Sequence, residues 1–234
     1  MNLIKRLFIP LVFCAFSTNM LAHALFIETN SNGTLGNTQK IKVFYTEPND
    51  LKKERVEDWW SNTKEFTLWL TLPDGSKKKL TVSEHDDHFT SVFTPLVAGN
   101  YYVSIHHTVP TITGKTQYQF NASSKVTVGK QKEELASEQL KLGKELFMFK
   151  SVSNNNKELS IMLLYNGEAL PNASVTIFAP SGWERTIETN EKGIVNFKPE
   201  WKGEYLFVAI KKEEVSGKGY SGKLKIITTA VNFK

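Results

Sequence analysis

The amino-acid sequence predicts an all-β chain: two tandem immunoglobulin-like or transthyretin-like β-sandwiches behind a cleavable leader. Short runs of β-branched and aromatic residues recur along it, each closed by turn formers. No helical stretch is read among them in the first half. A Gly-x-Tyr signature opens an alternating strand once in each half, at Gly99-Asn100-Tyr101 and at Gly203-Glu204-Tyr205. About seven strands over roughly a hundred residues is the proportion of an immunoglobulin-like domain.

The leader comes first. Lys5 and Arg6 form a charged start, and Leu7 to Phe16 an apolar core too short to span a bilayer. Cleavage after Ala22 makes His23 the new amino terminus. Cleavage after Ala24, which ends the small-x-small signal Ala22-His23-Ala24, removes it. The only cysteine, Cys14, lies inside the leader behind Phe13, without the small residue that precedes a lipidated cysteine. Residues 1–22 therefore read as a signal peptide, and the mature chain as a soluble periplasmic protein.

The mature chain of roughly 210 residues has no cysteine, so neither disulfides nor thiolate ligands are open to it. Only Met148 and Met162 remain, so no thioether cluster forms for Cu(I). His and carboxylate ligands for hard-to-borderline divalent metals are what the composition allows. Loss of Lys5 and Arg6 lowers the formal charge from +5 to +3. Basic residues are scattered, as in Lys77-Lys78-Lys79 and Lys211-Lys212, so no nucleic-acid surface is read. No later apolar run is long enough for a transmembrane span.

Along residues 23–129, strands are expected at Lys40 to Tyr45, Phe66 to Leu72, Lys79 to Val82, Phe89 to Phe93, Tyr101 to Val109 and Gln117 to Val128. Pro73-Asp74-Gly75-Ser76 supplies a hairpin turn, proline presetting φ and glycine taking the left-handed position. Residues 130–145 are charged and read as a linker with one helical turn. In residues 146–234, strands are expected at Leu159 to Tyr165, Ser174 to Phe178, Arg185 to Thr189, Ile194 to Phe197, Gly203 to Ile210 and Lys223 to Val231. The tyrosines of both Gly-x-Tyr signatures should plug sandwich corners, ring buried and hydroxyl bonded to backbone.

All five histidines lie in the first half: His23, His85, His88, His106 and His107. A terminal His23 offers an amine and an imidazole nitrogen on one residue, a chelate suited to Cu(II) or Ni(II). Strand alternation puts His23 on the face of Leu25 and Ile27. It puts His107 on the core face of Tyr101, Val103 and Ile105, with His106 pointing outward. His23 and His107 would then meet where the sandwich opens, with water or a carboxylate as a further ligand. His85-Asp86-Asp87-His88 is a second candidate, because a turn lets His85 and His88 converge on Zn(II) or Ni(II). Trp69, Trp183 and Trp201 read as core and edge packing, and Trp59-Trp60, in a charged loop after Lys52 to Asp58, as an exposed partner-binding knob.

The second half resembles carboxypeptidase-regulatory and transthyretin-like modules, through Asn166 to Val175, Thr189 to Gly193 with Val195 and Phe197, and Gly203-Glu204-Tyr205. With Ala179 to Glu184, Pro199 to Tyr205, Gly217 to Gly222 and the start His23 to Glu28, the mature chain resembles the periplasmic nickel-uptake substrate-specific family. That resemblance implies an exported two-domain β protein handling nickel, cobalt or similar metals. Of the candidate ligands, only His23 falls on a family position. A weaker likeness is to small periplasmic copper-resistance carriers that begin with a ligating histidine.

No Gly-x-Ser-x-Gly, His-Glu-x-x-His or phosphate loop is present, and no enzyme is expected. The expected function is carriage of a divalent ion (Ni, Co, Cu or Zn) and its presentation to an envelope transporter component. The alternative is a scaffold or adhesion module binding a protein or glycan.

Overall fold

In a computed structural model of the chain, residues 23–49, 53–129, 148–155 and 158–233 are described. The leader and the linker read at 130–145 lie outside them.

The first half runs β1 (Ala24–Thr29), β2 (Asn32–Gly33), β3 (Gln39–Thr46), β4 (Leu68–Thr71), β5 (Lys77–Lys79), β6 (Ser83–Glu84), β7 (Phe89–Phe93), β8 (Gly99–Thr113) and β9 (Thr116–Val128). The second runs β10 (Met148–Asn155), β11 (Glu158–Tyr165), β12 (Glu168–Ala169), β13 (Ser174–Phe178), β14 (Glu184–Glu188), β15 (Ile194–Phe197), β16 (Gly203–Gly217) and β17 (Tyr220–Phe233). The all-β expectation holds. Between β3 and β4 lie two short 3-10 turns, Val56–Asp58 and Thr63–Glu65.

Each half repeats one arrangement. In the first, β1, β3 and β7 form one sheet, with β6 at its edge, and β5, β4, β8 and β9 another. In the second, β10, β11 and β15 correspond to β1, β3 and β7, and β14, β13, β16 and β17 to β5, β4, β8 and β9. The turns repeat too. Leu72 N–H donates to Ser76 O at 2.8 Å, and Ala179 N–H to Trp183 O at 2.8 Å. Gly75 and Gly182 both have positive φ, as each turn requires.

The Gly-x-Tyr signatures form matched corners. Tyr101 Oη donates to Val97 O at 2.9 Å, and Tyr205 Oη donates to Trp201 O at 3.1 Å. Gly99 and Gly203 have φ of 149° and 125°, and a Cβ there would lie 2.5 Å from Pro73 Cβ and 2.9 Å from Pro180 Cβ respectively. Only glycine lets these strands start so close to the preceding turn.

The halves are joined through their last strands. β17 pairs parallel with β9, from Gly222 opposite Thr116 to Thr229 opposite Ser123. Two four-stranded sheets thereby become one sheet of nine strands, counting β2. A twofold rotation along the strand direction relates two parallel strands and exchanges the faces of their sheet. Accordingly β1 lies over β9 and β17 on one face, and β10 lies against them on the other. Thr228 Oγ1 donates to Leu25 O at 2.5 Å, and Ser123 Oγ to Phe149 O at 3.2 Å.

β17 therefore serves two cores. Ile226 and Ala230 belong to the core of the first half, and Ile227 to that of the second. A strand buried on both faces reads as a continuous apolar run rather than an alternating one. β1 is also covered on both sides, Ala24 to Ile27 all being buried, with Phe26 stacked on Phe44 at 5.5 Å.

Tyr101→Phe and Tyr205→Phe each remove a hydroxyl that holds a corner. Each should lower the unfolding free energy by about 1–2 kcal/mol in urea titrations. The double variant should show the sum to within about 0.5 kcal/mol, because the corners are separate.

Candidate functional site

His23 stands at the head of β1. Because β1 pairs with β3 with Leu25 opposite Tyr45, the His23 ring falls on the Tyr45 side, as strand parity predicts. The rings stack with centroids 5.5 Å apart. The His23 Nε2 lies against Glu54 Oε1, the side chains being about two-fifths and a quarter exposed.

Glu54 is a residue that sequence reasoning missed. It belongs to the charged loop of Lys52 to Asp58. Its backbone is fixed at both ends: Glu54 N–H donates to Tyr45 O at 3.1 Å, and Trp59 Nε1 donates to Glu54 O at 3.2 Å. Trp59 is 4% exposed and packs on Tyr45, Phe66 and Phe89. Trp60 packs edge-on against Tyr118 and Phe120. The expected exposed Trp59-Trp60 knob is thus overturned. Two adjacent indoles carry too much apolar area for a charged loop to leave in water, and they pin it to the core. That apolar pair was the available sign that Glu54 has a fixed position.

Burial raises the Tyr45 hydroxyl above its ordinary range, and the Glu54 carboxylate adds to the shift. The phenol stays protonated beside His23, so the arrangement provides imidazole and carboxylate, not phenolate.

The other histidines fall into three settings. His107 lies on the core face at the edge of the sandwich and shares a hydrogen bond between Nε2 and Asn62 Oδ1 at 3.0 Å. Burial lowers its pKa below the ordinary histidine value. His106 is exposed, on the outward face as expected, with Gln119 Nε2 at 3.1 Å from its Nε2. His85 and His88 do converge, their rings stacked at 4.7 Å and 12°. The turn is closed by His85 N–H donating to His88 O at 2.8 Å. His85 Nε2 meets Thr90 Oγ1 at 2.8 Å, and His88 Nδ1 meets Asp87 Oδ1 at 2.5 Å, a bond that lowers the Asp87 pKa. Among the described residues no group of three or more His, Cys, Asp and Glu is placed to hold a metal ion. The nearest arrangements are the pairs His23–Glu54 and His85–His88.

Trp69, Trp183 and Trp201 are each more than a third exposed, contrary to the packing expected of them. Trp69 points off β4 on its solvent side, and Trp183 and Trp201 sit in loops with rings 6.1 Å apart. No helix among the described residues is long and apolar enough to cross a membrane.

A lowered His107 pKa fixes the sign of a pH effect. The unfolded chain takes up this proton more readily than the folded one. His107 therefore costs no stability above about pH 6.5, and an increasing amount as pH falls below it. Urea midpoints measured at pH 7.5 and 5.5 should fall less in His107→Gln than in the parent.

Residues 20–213 match a family described as a domain of unknown function, DUF4198. Among curated proteins none matches the chain. Among solved structures, a DUF4785 family protein from Legionella pneumophila is 14% identical with a TM-score of 0.31, over 78% of this chain and 50% of that one. The chain thus spans about half the length of that protein. A two-domain fibronectin type III segment of chicken tenascin is 10% identical with a TM-score of 0.26, over 88% of this chain and 97% of that one. E. coli alpha-2-macroglobulin is 10% identical with a TM-score of 0.32, over 91% of this chain and 14% of that one.

Proposed function

From a chain that belongs to the DUF4198 family, we propose an exported periplasmic protein that binds a divalent transition metal at its mature amino terminus. In this reading it carries Ni, Co, Cu or Zn, or hands the ion to an envelope transporter component, and it is not an enzyme. The resemblance to nickel-uptake proteins and the leader motivate the reading. The observation that carries it is the His23–Glu54 pair.

Cleavage after Ala22 leaves His23 with a free amine. Glu54 engages Nε2, so a metal would be held by the amine and Nδ1, which close a chelate ring on one residue. A carboxylate on the distal nitrogen is the usual partner of a metal-bound imidazole: it fixes the tautomer and raises the ligand's basicity. Tyr45 stacked on the ring restricts its rotation. Two nitrogens with water completing the shell suit Cu(II) or Ni(II). His107 enters only if it leaves Asn62. His85 and His88 form a second, separate candidate pair on the surface turn, and His106 lies on the opposite face of its strand.

One observation favours the alternative of a scaffold or adhesion module: the exposed Trp183–Trp201 pair could meet a protein or glycan. Native mass spectrometry of protein recovered from the envelope, before and after addition of Cu(II) and Ni(II), separates the two. The expected species starts at His23 and retains one metal. His23→Ala, with the leader site preserved, should abolish this binding, and Glu54→Gln should weaken it by about tenfold or more. A chain starting at Leu25 without metal would refute the terminal site and leave the scaffold reading.

A further inference from the structure

The corner signatures differ at their middle residue. In the first half Asn100 is neutral and partnered, accepting from Thr127 Oγ1 at 3.0 Å. In the second, Glu204 takes the same place. Its Oε1 is buried without a hydrogen-bond partner. Burial, with help from Glu28, raises its pKa, while Lys53 and Lys42 oppose the shift. A repeat that needed only a corner would have no use for a carboxylate here.

Glu204 lines a cleft of about 140 Å3 between the two halves. Phe44 and Lys53 form the wall from the first half, and Phe178, Pro180 and Leu206 that from the second. The volume is close to that of an engineered cavity of about 150 Å3 that accepts benzene. Lys53 Nζ lies 3.8 Å from the Phe44 ring centroid and 3.5 Å from Glu28 Oε2. The wall therefore already accommodates one cation, and that cation has its own counter-ion. Glu204 is the cleft carboxylate whose oxygen still lacks a donor.

We propose that this cleft binds a small organic cation. An ammonium or guanidinium group pairs with the Glu204 carboxylate, and a compact apolar body lies between Phe44 and Phe178. Charge-assisted hydrogen bonding to the carboxylate sets the choice of charge, and the aromatic and proline walls set the size. The site is independent of His23.

Benzylamine hydrochloride is the probe, with benzyl alcohol as the neutral control, titrated into the full mature chain and followed by amide NMR shifts. The expected result is saturable shifts at Phe44, Phe178 and Leu206 with benzylamine, and binding at least about tenfold weaker with benzyl alcohol. Glu204→Gln should weaken benzylamine by about tenfold, and Lys53→Met, which removes the competing cation, should strengthen it. Equal affinity for amine and alcohol, unchanged affinity in a folded Glu204→Gln chain, or no shifts at the cleft would overturn the proposal. The comparison of amine with alcohol on the unaltered protein decides the matter even if a variant fails to fold.

Discussion

The parallel pairing of β9 with β17 is the constraint on which the rest of this molecule depends. Two sandwiches tied only by a linker would each need an edge strand blunted against aggregation. Here the last strand of each half covers the other's edge. Because the junction is parallel and symmetric, the two smaller sheets come to lie on opposite faces of the joint sheet. The strands at the junction are buried on both sides. Ile226 and Ile227, adjacent in sequence, therefore belong to different cores.

Both candidate sites follow from that junction. Lying over β9 and β17, β1 has a fixed course, tied down by the bond from Thr228 to the Leu25 carbonyl. His23 at its head meets a set position rather than a fraying end. The buried Trp59 then brings Glu54 to it, so a loop of mixed charge becomes a support for one imidazole. The same junction brings Phe178 and Leu206 of the second half to the cleft lined by Phe44 and Thr46 of β3. The cleft around Glu204 exists only because the halves meet there. Burial of a carboxylate beside apolar walls is costly unless it is matched, which is why Glu204 stands out against the satisfied Asn100.

Much of the fold was legible in the sequence. Phe89–Phe93, Ser174–Phe178 and Ile194–Phe197 have the bounds read from β-branched and aromatic runs. The corner role of Tyr101 and Tyr205 followed from the repeated Gly-x-Tyr signature. Parity placed His107 on the core face, His106 outward and His23 on the side of Leu25. What could not be read was long-range. Nothing local in Thr116–Val128 and Tyr220–Phe233 announces that they pair with each other, since parallel pairing leaves no turn between partners. The double burial of β1 masks its alternation, since Ala24 to Ile27 are all buried. Glu54 is not legible locally because its position is set by a tryptophan five residues on, and Trp59-Trp60 has charged neighbours in sequence but apolar neighbours in space.

Amide hydrogen exchange followed by mass spectrometry tests the junction most directly. The account predicts that Phe120 to Ser123 and Ile226 to Thr229 are among the slowest-exchanging segments and that they open together, at the free energy of global unfolding. Earlier exchange of one of these segments, with the rest of its own half still protected, would show two independent sandwiches and contradict the single joined sheet.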